Sequence, residues 1–300
     1  MTTMASPVST TLLARPGYEG ANIRTWIGFK HFIYLVEESV LAWLREHGAG
    51  ARELFHQHGL GVEIVDCSVQ LPAVLEVDDE VRAEVGHLTG RRFTVQLTVR
   101  RDGRDVVVLR GKVTVALVAE AGAMLREPVP AALAGFAVGD LSEATGPVEP
   151  RAELPSGPSS ALWSWRAPYF YCHFSDRVQH SGFVRCLEES VDRFLAGRGI
   201  SVGRMLRERS WIPVVSRARV RMLAPAHTEE TVHTVFTVTD VLRGIMFDGR
   251  MDCFVERDGA FVPVATATIL HGYAISRGPL AGTLAELDPG VCAVLLGTGR

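Results

Sequence analysis

Three titratable residues lie within thirteen positions of one another in the second half of the chain: Asp176, His180 and Glu188. His180 stands just ahead of an apolar run with helical spacing. An imidazole there can donate to a carbonyl or relay a proton near neutral pH, although capping the helix is an equally ordinary task for it. The backbone N–H groups of Gly182 and Phe183 would point from the helix start and could form an oxyanion hole. Gly182 would also permit close approach of a bound molecule. Further along, Val184, Leu187, Val191, Phe194 and Leu195 define an apolar stripe at 100° per residue, and Glu188 falls at its edge. A carboxylate at such a margin is partly desolvated, a setting suited to general-base work on water or to nucleophilic attack. The competing reading pairs Glu188 with Arg217 or Arg219. Glu189 falls opposite, among Arg185, Asp192 and Arg193, and reads as solvated. Asp176 would orient His180 or position a water, or else it is a turn residue in Ser175-Asp176-Arg177.

A weaker copy of this stretch lies 151 positions earlier, with Glu37 against Glu188. At that offset Tyr18 matches Tyr169, Phe32 matches Phe183, Ser39 matches Ser190, Gly48 matches Gly199 and Val81 matches Val232. Farther on, Arg101-Asp102-Gly103 matches Arg257-Asp258-Gly259 at an offset of 156, so one copy holds a small insertion. The chain is therefore read as an internal duplication. Only the second copy carries the Asp and the His. In the first, Trp26, Ile27 and Phe29 put apolar bulk where the second has its polar loop, either to hold a substrate or to pack the interior.

The elements that must position these residues follow the same order twice. Tyr18–Trp26 reads as a first strand, Phe32–Glu46 as a helix with Phe32, Val36, Val40 and Trp43 on one stripe, and Gly48 as its stop. Val-rich segments at 61–77, 80–88, 91–101 and 105–119 read as an antiparallel meander with a hairpin at Arg101-Asp102-Gly103-Arg104. The second copy gives a strand at Tyr169–Ser175, a helix at 182–196 and strands at 211–223, 230–242, 245–257 and 261–275. The expected domains are a disordered tail over 1–17, a first repeat over 18–125, a Pro/Gly-rich linker over 126–164, a second repeat over 165–285 and a tail over 286–300.

Composition narrows the class. Three hundred residues at 47% hydrophobic content suffice for one or two packed domains, and a net charge of −3 gives no case for nucleic acid as a partner. Five cysteines without a Cys-x-x-Cys pair suggest neither a disulfide framework nor a metal cluster, and Cys172 and Cys186 have no evident base to activate them. No apolar run is long enough for a membrane helix, and the N-terminus does not have the pattern of a secretory signal, so the expected location is cytoplasmic. No Gly-rich phosphate loop is present, and no cofactor or metal is expected. His173 and His271 are lesser candidates, each more ordinary as a satisfied strand histidine.

The order strand, loop, one long apolar helix and wrapping antiparallel sheet resembles the hotdog fold. The second copy is similar to the 4-hydroxybenzoyl-CoA thioesterase branch in placing Asp176, His180, the aromatic Phe183 and Glu188 in that sequence. The Asp-to-His spacing is about three residues shorter than in that branch. Two fused copies resemble the double-hotdog proteins, among them the acyl-ACP thioesterases, and so imply an α+β fold: a tandem (double) hotdog of two helix-plus-antiparallel-sheet repeats. The resemblance implies a hydrolase acting on an acyl-CoA or acyl carrier protein thioester, in fatty acid or polyketide-type metabolism, without a cofactor. Glu188, His180 and Asp176 would be catalytic, and Gly182, Phe183, Trp26 and Phe29 would bind substrate. Double-hotdog dehydratases/hydratases and acyltransferase-decarboxylases are the alternatives, although the dehydratase motif His-x-x-x-Gly-x-x-x-x-Pro is absent from the first copy. A non-catalytic acyl-binding protein is the third reading, and homodimer formation is left open.

Overall fold

A computed structural model describes residues 9–121 and 127–298. The chain divides into two compact units, Met1–Gly146 and Pro147–Arg300.

In the first unit, β1 (Ser9–Ala14) leads through a 3-10 turn at Tyr18–Gly20 into α1 (Phe29–His47) and the short α2 (Ala51–His58). Four strands follow, β2 (Leu60–Gln70), β3 (Val81–Thr89), β4 (Arg92–Arg101) and β5 (Arg104–Ala119), in the spatial order β1-β3-β4-β5-β2, with every one of these pairs antiparallel. The expected stripe of Phe32, Val36, Val40 and Trp43 is buried along α1. The hairpin at Asp102-Gly103 takes positive φ at both residues, 49° and 75°, the twist-compatible turn that Asp-Gly favours. Two-residue β6 (Ala137–Val138) pairs in parallel with Leu117–Val118 of β5, just beyond the point where β4 ends its pairing at Thr114, and one-turn α3 (Ser142–Thr145) closes the unit.

The second unit repeats the plan. β7 (Ser160–Arg166) precedes α4 (His180–Gly197) and α5 (Val202–Arg209). Then come β8 (Trp211–Met222), β9 (Thr231–Leu242), β10 (Met246–Arg257) and β11 (Ala260–Ile275), ordered β8-β11-β10-β9-β7, and finally α6 (Pro289–Leu295).

The duplication extends to details of register. Ser9 pairs with Gly86 and Ser160 with Thr237, each partner shifted by the same 151 positions. One residue bulges from β2 at Val65 and one from β8 at Ser216, again 151 apart, while bulges at Val108 and Val264 are 156 apart. Bulges at Leu88 and Thr239 are likewise 151 apart, and the insertion lengthens the β9–β10 hairpin, whose strands have 12 residues each against 9 and 10 in β3 and β4. Bulges re-aim side chains and are kept as built features, so their repetition marks one ancestral sheet used twice.

Several boundaries differ from the sequence reading. Residues 9–14, assigned to a disordered tail, form edge strand β1, while 1–8 lie outside the described residues. The Pro-rich stretch 126–164 holds β6, α3 and the start of β7, Arg126 lying outside the described residues. The stretch 286–300 contains α6, whose first turn is capped by Asp288 accepting from the Val291 N–H; 299–300 lie outside the description. Tyr18–Trp26 and Tyr169–Ser175 are not strands. Pro16-Gly17 and Pro168 turn the chain into 3-10 segments, and positive φ at Arg24 (70°) and Phe174 (59°) breaks extension. No helix among the described residues is long and apolar enough to cross a membrane.

Candidate active site

The loop entering α4 is closed by its own backbone. The Gln179 N–H donates to the Tyr171 carbonyl (2.9 Å), and the Val178 N–H donates to the Ala226 carbonyl in the loop after β8 (2.8 Å). These bonds fix where α4 begins, and His180 is its first residue. The imidazole is buried, and Nε2 lies 3.2 Å from the Val220 carbonyl oxygen on β8. A carbonyl only accepts, so Nε2 carries a proton. His180 is therefore an imidazole fixed at the positive end of a helix, a place that favours developing negative charge beside it.

Asp176 does not orient it. Its Oδ1 accepts from Nδ1 of His227 at 3.1 Å, with both side chains well exposed. His227 lies in the β8–β9 loop and belongs to a clasp found in both units. In the second, the His227 N–H donates to Glu230 Oε2 (2.7 Å), and Arg257 pairs with both oxygens of Glu230 (2.9 and 2.8 Å). Partial burial pushes the Glu230 carboxyl up, but the Arg257 and His227 hydrogen bonds outweigh it and hold the group below its ordinary value. In the first unit Thr25 donates to Glu76 (2.9 Å), the Glu76 N–H donates to Asp79 (2.8 Å), and Arg101 pairs with Asp79. Thr25, Glu76, Asp79 and Arg101 are the counterparts of Asp176, His227, Glu230 and Arg257, so a contact present in both copies first of all fastens the loop ahead of the helix. Nothing local in the sequence points to His227, 51 residues from its partner.

The glycine has a different task from the expected one. The Gly182 N–H donates to the Gln179 carbonyl (3.0 Å), so it is engaged in the first helical turn rather than offered as an oxyanion donor. A Cβ at Gly182 would meet Val178 at 3.1 Å and the Tyr171 ring at 3.3 Å. In the first copy the sizes are exchanged. Gly20 stands for Tyr171 and His31 for Gly182, and a Cβ at Gly20 would meet the His31 ring at 2.7 Å. Each copy thus fits one ring against one glycine. Gly20→Ala is expected to cost about 1–3 kcal/mol through overpacking, and His31→Ala in the same chain should recover much of it; thermal unfolding of the single and double variants checks this.

Of the remaining candidates, Phe183 is fully buried and Phe29 nearly so; both are interior packing, Phe29 being the counterpart of His180. Trp26 is half-buried, bridged by its backbone to Glu76, with the Arg24 guanidinium 6.0 Å from its ring. Glu188 is half-buried on α4, eight residues beyond His180. At 1.5 Å rise per residue that is about 12 Å along the axis. Glu189 pairs with Arg193 at 2.8 Å, as a solvated residue would. Cys186 and Cys253 are both buried around the Thr234 hydroxyl (3.5 and 3.6 Å), where burial pushes the Cys253 thiol well up, away from nucleophilic use.

His271, on β11, is buried against Phe247 and Tyr273, and burial lowers its pKa from 6.5 to about 3. The folded form thus binds fewer protons than the unfolded chain between these values, so the contribution is complete above about 6.5 and is lost as pH falls toward 3. His271→Val is expected to flatten the pH dependence of unfolding free energy across that window, measured by urea titration at several pH values.

No protein-family model matches this sequence, and no curated protein matches it. Solved structures do. A Lactobacillus plantarum protein provisionally assigned as an oleoyl thioesterase is 10% identical, with a TM-score of 0.61 over 89% of this chain and 97% of that one. The 12:0-ACP thioesterase of Umbellularia californica is 9% identical, with a TM-score of 0.61 over 88% and 94%. An acyl-ACP thioesterase from Bacteroides thetaiotaomicron is 9% identical, with a TM-score of 0.55 over 88% and 97%. At this identity the likeness establishes the fold alone: the chain is a tandem hotdog, as are the two acyl-ACP thioesterases.

Proposed function

We propose that this tandem-hotdog chain hydrolyses an acyl thioester carried on CoA or on an acyl carrier protein, with the chemistry at the head of α4. The observation that carries this reading is His180, buried as the first residue of the helix and anchored through Nε2 on Val220. The imidazole takes a proton from water, the water oxygen bonds to the thioester carbon, and the positive helix end stabilises the oxyanion. Collapse of the intermediate expels the thiolate, which recovers a proton from the imidazolium. Asp176 contributes by fastening the loop to His227, and Glu188 stands apart from the reacting carbon.

Following free thiol over a panel of acyl-CoA and acyl-carrier substrates tests the reaction. Release of thiol with water consumption supports it. Loss of water from a β-hydroxyacyl substrate with no thiol release would overturn it in favour of a dehydratase, and tight binding without turnover would leave an acyl-binding protein. Glu188→Gln is expected to change kcat/KM by less than about tenfold, a shift below 1.4 kcal/mol; a loss of a hundredfold or more would return the catalytic base to Glu188.

A further inference from the structure

Two buried polar atoms of β11 have no hydrogen-bond partner: Nδ1 of His271 and the hydroxyl of Tyr273. His271 is 4% exposed and Tyr273 fully buried. They stand two residues apart on β11 and so share one face of the strand. That face is turned toward α4. Its neighbouring row runs from Ala267 to Met251, 3.6 Å from the Ser190 hydroxyl, and on to Phe236, which meets Phe194 of the helix at 5.4 Å between ring centres. Buried polar atoms are nearly always paired, and two unpaired ones side by side are strongly disfavoured unless something joins them.

The fold does not require them. At the matching positions of the first copy stand Val115 and Leu117, both fully buried, with the same bulge pattern around them. Aliphatic packing is thus sufficient there, and the second copy departs from it twice on one face. The chemistry of the two atoms selects the guest. A phenol hydroxyl donates and accepts, and an imidazole Nδ1 does one or the other, so a single hydroxyl group between them satisfies both.

Position along the strand says which hydroxyl. His180 is anchored on Val220, which pairs with Ala267 of β11. From Ala267 to His271 is four residues, about 13 Å at 3.3 Å per residue. Between them on this face lies the buried Ile269, paired with the small Ala218 of β8. An oxygen next to the thioester would lie near His180; one at His271 belongs far down the chain. We propose that His271 and Tyr273 form a polar subsite for a hydroxyl near the distal end of the acyl chain, making an ω-hydroxylated acyl group the preferred substrate class. This rests on the reading that the acyl thioester lies at His180.

Titration calorimetry with free dodecanoate, its ω-hydroxy derivative and its β-hydroxy derivative tests the subsite without depending on turnover. The ω-hydroxy acid is expected to bind about tenfold more tightly than dodecanoate, the worth of an added buried hydrogen bond. Tyr273→Phe should reduce that ratio, and the His271→Val/Tyr273→Leu double variant, which copies the first unit, should bring it close to one. Equal affinity of the intact chain for dodecanoate and the ω-hydroxy acid, preference for the β-hydroxy acid, or no binding of any of them would overturn the proposal. An unaltered ratio in the double variant would also do so, leaving the two atoms to a buried water alone. A preserved ω-hydroxy preference in a chain that releases no thiol would sink hydrolysis while sustaining the subsite.

Discussion

A His180→Ala variant is expected to hydrolyse acyl thioesters about 10²- to 10⁴-fold more slowly, the usual worth of a positioned general acid–base. The imidazole is buried as the first residue of α4 and held there by its Nε2–H, donated to the Val220 carbonyl. Alanine removes the base and also leaves the Val220 carbonyl short of a donor, so some stability is lost with it, about 1–3 kcal/mol. His180→Gln separates the two effects. Its amide can still donate to Val220, so unfolding should stay near that of the parent chain, while turnover falls as in the alanine variant. Initial rates of thiol release and urea midpoints on the same samples check both. Full turnover in the folded glutamine variant would remove His180 from the reaction.

The second large effect concerns folding. Phe183→Ala is expected to destabilise the chain by about 3–5 kcal/mol, the range for deleting a buried phenylalanine. Phe183 is fully buried on the inner face of α4, with Val184, Leu187 and Phe194, so the loss combines transfer energy with an unfilled cavity. Phe183→Leu should restore most of it. Chemical denaturation followed by tryptophan fluorescence measures the cost. If the alanine variant keeps its midpoint and instead loses affinity for acyl thioesters, the ring lines the substrate site and is not part of the core.

Much of the architecture is legible from residue types because strands β2–β5 and β8–β11 are rich in β-branched side chains, and Asp-Gly marks the β4–β5 and β10–β11 turns. The edge strands are not. Ser9–Ala14 follows a Ser/Thr-rich stretch, and Ser160–Arg166 follows a Pro-rich one, so local composition outweighs a short alternation; their identity comes from pairing with β3 and β9, which sequence does not display. Aromatic content in Tyr169-Phe170-Tyr171 suggests a strand, yet Pro168 and the φ of Phe174 decide otherwise. Helices α2 and α5, eight residues each, follow the glycine stop signals of longer helices and are hidden by them. At the site, helical projection separates Glu188 from Glu189 and identifies the loop–helix junction. The partner of Asp176 cannot be read, because His227 reaches it across 51 residues of chain.

The exchanged pair of ring and glycine also bears on how the two copies diverged. Gly20 with His31 and Tyr171 with Gly182 are opposite solutions to one packing problem, and a ring at both positions is sterically barred. Descent from one solution to the other therefore passed through a small-and-small state, looser but foldable, or through simultaneous change. Grafting the first turn of α1 onto the second unit would bring an imidazole against the Tyr171 ring. Paralogous segments here are no longer spare parts for one another, although their strands still share the same register.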